Sequence, residues 1–249
     1  MAEFEEVFEV FEEAESGIAE EGEAMEGLDA EEMEELQEEA NVARQNVSTL
    51  RSVVDYIKDL NIPGALKAFT KFVVKNAAVG AIFYGVTVLL SKLAKQSKGS
   101  KAAQAKYEKT YALSTLIDDM TKTSQKAVDW MKAHENDTID LEGISIPLID
   151  IFTKYTGPMG DTMEKAYEVA KDLTTKDSKG KVTFNVPTTG QVNTIVDSAK
   201  GFVDALDGFV KFAEEKQSSY PQLATLTVTH SDVVQLNTDL QKVTSMPYC

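Results

Sequence analysis

His134, His230 and Cys249 are the only two imidazoles and the only thiol in the sequence. Hydrolytic triads and most zinc sites need histidines or cysteines clustered with carboxylates. Two distant histidines and one thiol at the far end of the sequence do not form such a cluster, and each histidine is expected to be structural or exposed. Neither a Gly-x-x-x-x-Gly-Lys-Ser/Thr run nor a Gly-x-Gly-x-x-Gly run occurs, so no backbone cradle for nucleotide phosphates is announced. Thr138-x-Asp140-x-Glu142-Gly143 brushes the calcium-loop pattern, but Thr138 and Ile149 occupy its first and twelfth ligand positions. Paired carboxylates abound only as charged runs and single out no acid–base pair. The expectation is a protein without catalytic residues, cofactor or metal, whose chemistry is that of contact.

Three features bear on contact. Residues 1–40 hold 17 glutamates and Asp29 with no lysine or arginine, a charge of −18, whereas the other 209 residues hold 23 acids and 25 bases. Within that acidic segment Phe4, Val7, Phe8 and Phe11 follow i, i+3, i+4, i+7 spacing, which places them on one helix face. They read as an apolar anchor, with Gly17, Gly22 and Gly27 as hinges on a charged strap that docks on its own body or on a neighbour. Cys249 follows Pro247 and Tyr248 and is read as an exposed thiol suited to a disulfide between molecules. Arg44 and Arg51 are the only arginines, so the other 23 bases are lysines. Lysine loses its charge near pH ~10.4 while arginine does not, so contacts between the acidic arm and lysines are expected to fail in strong alkali. Ionisation of the eight tyrosines would add repulsion there.

The elements that position these residues read as mainly α. The domains are a 1–28 acidic arm, extended and anchored, and a 29–249 helical bundle with a small two-stranded β element. Asp29 with Glu32 forms a capping box. The seam Leu36, Ala40, Ala43, Val47, Leu50, Val54, Ile57 follows, ending near Asn61-Ile62-Pro63-Gly64. A second helix from Pro63 to about Lys95 has an uncharged centre, Asn76 to Ser91, which suits a helix buried on all sides. Those sixteen residues fall short of the ~20 that span a bilayer. Ala77, Ala81 and Gly85 would admit close neighbours. A third helix shows Leu113, Leu116, Ile117, Met120, Ala127, Val128 and Met131 on one face and fades at Asn136-Asp137. Ile144 to Phe152, broken by Pro147, predicts a loop or short helix, and Asp161 with Glu164 caps a helix to about Leu173. Lys181 to Val186 alternates as a strand whose partner is the Thr- and Val-rich stretch Leu223 to His230. Thr188 with Gln191 caps a long helix and Ser231 caps the last, after which residues 246–249 trail off.

An apolar fraction of 43% and 249 residues suit a folded body with a sizeable core. A net charge of −16 argues against nucleic acid and anionic membrane as partners. The start, Met1 to Glu6, lacks the basic flank and apolar stretch of a secretory signal, and a single cysteine fits a reducing compartment, so synthesis in cytosol or nucleus is expected.

In length, acidic arm and contact chemistry the chain resembles the occlusion-body matrix proteins (polyhedrins) of insect viruses, most of all a helical type associated with nudiviruses. It departs from baculovirus and cypovirus polyhedrins, whose sequences are far less helical in pattern. The resemblance implies a self-assembling protein that crystallises around virions in the host nucleus or cytoplasm. It would protect them extracellularly within occlusion bodies and dissolve in an alkaline gut. The expectation from a different class is a helical pore-forming protein that uses 76–91 as a concealed insertion segment.

Overall fold

A computed structural model describes residues 2–21, 26–60 and 64–249, with the side chains of residues 2–4 and 65 outside that description. It is mainly α. The elements are α1 (Ala2–Glu21), α2 (Ala30–Asp59), α3 (Gly64–Gln96), α4 (Lys101–Ala133), β1 (Thr138–Leu141), β2 (Ile144–Pro147), α5 (Leu148–Lys171), β3 (Thr174–Lys176), β4 (Val182–Phe184), α6 (Thr189–Lys216), a 3-10 turn (Pro221–Thr225) and α7 (His230–Ser245).

The uncharged centre of α3 makes it the axis of the bundle. A helix without a charged face has nothing to offer water, so it is packed all round: α1, α2, α4 and α5 enclose it. α6 lies on α5, and α7 closes the far side against α6 and α4. Three polar residues of α3 fall along the α4 contact, where each finds a partner. Asn76 Nδ2 donates to Thr121 Oγ1 at 2.8 Å, Tyr84 Oη to Asp118 Oδ2 at 2.9 Å, and Thr87 Oγ1 lies 3.0 Å from Ser114 Oγ. Buried polar groups need such partners, and because these bonds form at one sliding position only, they set the register of α3 on α4.

The capping boxes at Asp29/Glu32 and Thr188/Gln191 form as the sequence predicts, and the α2 seam from Leu36 to Ile57 is buried. Pro63 lies outside the described residues. Elsewhere the fold corrects the expectations. The 1–28 arm is not extended over its described part: residues 2–21 are a helix seated on the body. There are two hairpins rather than one β element, and β4 pairs with β3 (Thr174 opposite Phe184), not with residues 223–230. The local partner wins because a short turn brings it to hand: Asp177 Oδ1 accepts from the amides of Lys179 and Lys181, and Gly180 takes φ +83.

The threonines that suggested a strand at 223–230 serve the backbone instead. Thr225 donates to the Gln222 carbonyl, Thr227 to the Lys126 carbonyl, and Thr229, not Ser231, caps α7 with Asp232. The calcium-like stretch is a hairpin, β1 to β2. Glu142 and Gly143 turn at φ +55 and +84, and the Gly143 amide donates to Asp140. Asp161 starts no helix. α5 runs unbroken from Leu148 through Pro158, because Phe152, Met159, Met163, Ala166, Tyr167 and Ala170 form one continuous buried face. Tertiary burial outweighs one lost backbone bond.

Candidate functional site: the seat of the first helix

The residues singled out for assembly lie on α1. Val7 and Phe11 are 1% exposed, and the buried line continues through Ala14 and Ile18 at the same i+3/i+4 rhythm. Phe8 is half-buried beneath the Lys58 ammonium, 5.0 Å from its ring centre. Phe4 lies outside the described side chains. The sequence therefore marks the first half of the anchor. Its second half was hidden because Ala14 and Ile18 sit among glutamates, in a window too sparse in apolar residues to stand out.

Gly17 is no hinge. A Cβ there would lie 2.7 Å from the Phe184 ring, and a Cβ on Gly85 of α3 would overlap the same ring. Phe184, from β4, is wedged between the two helices and needs both glycines. The small-residue spacing of α3 thus admits a phenylalanine of the hairpin rather than a neighbouring helix at this point. Gly22 lies outside the described residues, and Gly27 takes φ +79 in the turn before α2.

Around this apolar line the acidic face of α1 is met by cations from four elements. Arg51 of α2 reaches Glu15 at 2.6 Å and Glu12 at 3.7 Å, and Arg44 donates to the Ala19 carbonyl at 3.2 Å. Lys58 of α2 covers Phe8, Lys92 of α3 pairs with the largely buried Glu21, Lys171 of α5 with Glu6 at 3.0 Å, and Lys176 of β3 with Glu13 at 3.3 Å. The acidic start of α2 is held in the same manner, Glu32 by Lys98 just past α3 and Glu35 by Lys95 in its last turn. Both arginines of the chain therefore stand at this seat, a fact that composition alone does not reveal.

The titration of these groups follows from their partners. A hydrogen bond from Lys171, reinforced by its charge, holds the Glu6 carboxyl below its ordinary value. Burial pulls Lys171 down, but its bonds to Glu6 and Glu168 more than reverse this, and it ends above the usual lysine value. The bond that Arg51 donates to Glu15 raises the guanidinium above its ordinary value.

Cys249 is exposed. The segment before it does not trail off. Lys109 Nζ donates to the Met246 carbonyl at 3.0 Å, Tyr248 Oη donates to the Pro187 carbonyl at 2.6 Å, and Lys106 stands 5.5 Å from the Tyr248 ring. The thiol thus sits at the end of a pinned strap. His134 closes α4 with Nδ1 2.6 Å from Asp137 and Nε2 3.3 Å from Thr225 Oγ1. The order Asp–His–Thr has the outline of a nucleophile relay, but the Thr225 hydroxyl gives its proton to the Gln222 carbonyl at 2.7 Å. His134 here ties the 3-10 turn to α4. Among the described residues no group of three or more His, Cys, Asp or Glu side chains is arranged to hold a metal.

Compared with known families, characterised proteins and solved structures, the chain matches no family model, no characterised protein and no solved structure.

Proposed function

We propose that this is a self-assembling structural protein in which α1 is the exchangeable joint between copies, forming the protective matrix that the likeness to occlusion-body proteins implies. The observation that supports this best is the make-up of the α1 seat. The groups seen to receive α1 among the described residues belong to α2, α3, α5, β3 and β4, so a neighbour's α1 satisfies the same apolar line and the same cations. Exchange of an element on identical contacts is a low-cost route to oligomers. The exposed thiol of Cys249, on its pinned strap, then supplies a bond between copies. The partners are further copies and the virions they enclose. The protein is made in the host nucleus or cytoplasm and becomes extracellular within the particle.

Light scattering and electron microscopy at neutral pH, and again near pH ~11 with reductant, test this. The full chain should form large ordered particles that loosen in alkali, and a chain lacking residues 1–28 should stay folded without assembling. Cys249→Ser should weaken the particles toward alkali. A full chain that remains monomeric at both pH values, or a truncated chain that assembles normally, overturns the proposal.

One observation favours a second reading, as a membrane-active protein. The helix Leu66–Gln96, with a mean hydropathy of 1.7 in its best window, is long and apolar enough to cross a membrane by length and composition. Counting only the uncharged centre understates it. In the fold 89% of that window is buried, with α1 as one of its covers. Leakage of dye-filled liposomes by the purified chain, stronger once residues 1–28 are removed, supports this reading. Inertness of both forms removes it.

A further inference from the structure

Between α2, α3 and α4, away from the α1 seat, lies an open cleft of about 320 Å³. Its walls combine three tyrosines (Tyr84, Tyr107, Tyr111), an aliphatic floor of Val42, Ala43 and Val88, and a rim of Glu35, Glu38 and Glu39. We propose that this cleft binds a small organic cation of the alkylammonium class.

The aromatic wall comes from α4. Tyr107 and Tyr111 are one helical turn apart, with ring centres 6.3 Å apart and planes at 35°. Tyr107 is held from behind by its hydroxyl, which donates to Glu39 at 3.3 Å, and Tyr84 is fixed by its bond to Asp118. These two rings are thus set in place before any ligand arrives, which lowers the ordering cost of binding. Tyr111 is 45% exposed, a large aromatic surface for a residue with no evident packing duty.

Elsewhere in this fold Phe8, Tyr155, Tyr167 and Tyr248 each have a lysine ammonium 5.0–6.0 Å from the ring centre. Among the described residues none stands over Tyr84, Tyr107 or Tyr111. The cleft therefore offers aromatic faces and negative charge together, the combination that attracts a soft, weakly hydrated cation.

The rim decides against a metal ion. Glu39 is already engaged by Ser91, Tyr107 and, at 3.9 Å, Lys95, and Glu35 holds Lys95 at 2.9 Å. Two of the three carboxylates are spoken for, whereas calcium or magnesium needs a shell of six or more oxygens. Glu38, with no ion pair among the described residues, leaves one uncompensated charge beside the tyrosines. A bulky cation needs long-range charge and ring faces rather than a shell of ligands, and a cleft of this volume is at the small end of ligand sites.

Calorimetric titration of the full chain with choline, at constant ionic strength near physiological, tests the proposal. The neutral isostere 3,3-dimethylbutanol is the control. One saturable site for choline and weaker binding of the alcohol are expected. Tyr111→Leu and Glu38→Gln, both at exposed side chains, should each lower choline affinity about five- to ten-fold with unchanged thermal unfolding. No saturable binding, equal binding of the alcohol, or an unchanged affinity in Tyr111→Leu overturns it. The outcome is independent of assembly, because Tyr111 and Glu38 make no part of the α1 seat.

Discussion

Tyr56 illustrates how little a residue's type says about its titration. Its hydroxyl donates to Asp129 at 2.5 Å, and that bond, with some burial, pushes its pKa up to about 12. Burial does the same for Tyr248, also to about 12, and drives Tyr84, Tyr107 and Tyr167 higher still, each with a carboxylate nearby as the next cause for the last three. The expectation that tyrosines would repel one another near pH 10 is therefore wrong for these five. The sign is that of an acid kept neutral by the fold: its contribution is complete below the ordinary tyrosine value and is lost as pH climbs from about 10 towards 12. Ultraviolet titration should show a phenolate step near pH 12 that shrinks in Tyr56→Phe to the share left by Tyr248. A step at the ordinary value instead means that the Asp129 bond is not formed. Arg51 keeps its charge where the lysines lose theirs. Lysine contacts of α1 lapse in alkali, but the guanidinium between Glu12 and Glu15 does not. Arg51→Lys should leave α1 docked at neutral pH and lower the pH at which it lets go, read from fluorine NMR of a fluorinated Phe11. An identical release profile in the variant rules out Arg51 as the alkali-resistant contact.

Among the elements, the short hairpin β3–β4 matters beyond its size. Phe184 fills the gap left by Gly17 and Gly85, so α1, α3 and the hairpin meet on one ring. Gly85→Ala should destabilise the protein by about 1–3 kcal/mol, as overpacking of a filled core does. Adding Phe184→Leu should recover part of that loss, because the leucine is shorter and leaves the new methyl room. Urea unfolding of the single and double variants measures this, and strictly additive losses refute the shared contact. How legible were these elements? The long helices were plain, since their apolar periodicity and capping boxes at Asp29 and Thr188 are local signals. The strand partner at 223–230 was misread because Thr and Val favour strands in general, whereas Thr225, Thr227 and Thr229 here bond specific carbonyls or cap a helix. The false start at Asp161 has a like cause. A capping box is available there, but the face that α5 buries on both sides of Pro158 outweighs it.

For the molecule as a whole, α1 is a helix of one charge sign held by cations of the other. Its docking has a pH window. On the acid side Glu6 titrates below its ordinary value, so its contribution is present above that value and is lost as pH falls through the depressed one. On the alkaline side Lys171 titrates above its ordinary value, so its contribution is present below that value and disappears as pH rises past it. Small-angle scattering should find the most compact chain between the ordinary carboxylate and lysine values, and a larger radius only below the depressed Glu6 value or above the raised Lys171 value. In high salt the window should narrow, since exposed pairs are screened. A radius that is flat from pH 3 to 12 removes electrostatic docking from the account.

By itself the sequence determined that the protein is mainly helical, where most helices begin, that α3 is buried, and that α1 carries an apolar face amid acid. These follow from short-range periodicity and local hydrogen bonding, which need no knowledge of what lies across the bundle. Only the tertiary structure decided that α1 lies on its own body, that both arginines receive it, that Phe184 locks into two distant glycines, and that three tyrosines and three glutamates converge on one cleft. Those facts join residues as far apart as Gly17 and Phe184. Contacts at such separation leave no periodic trace in the chain, because they are fixed by which faces pack together and not by what stands next in line.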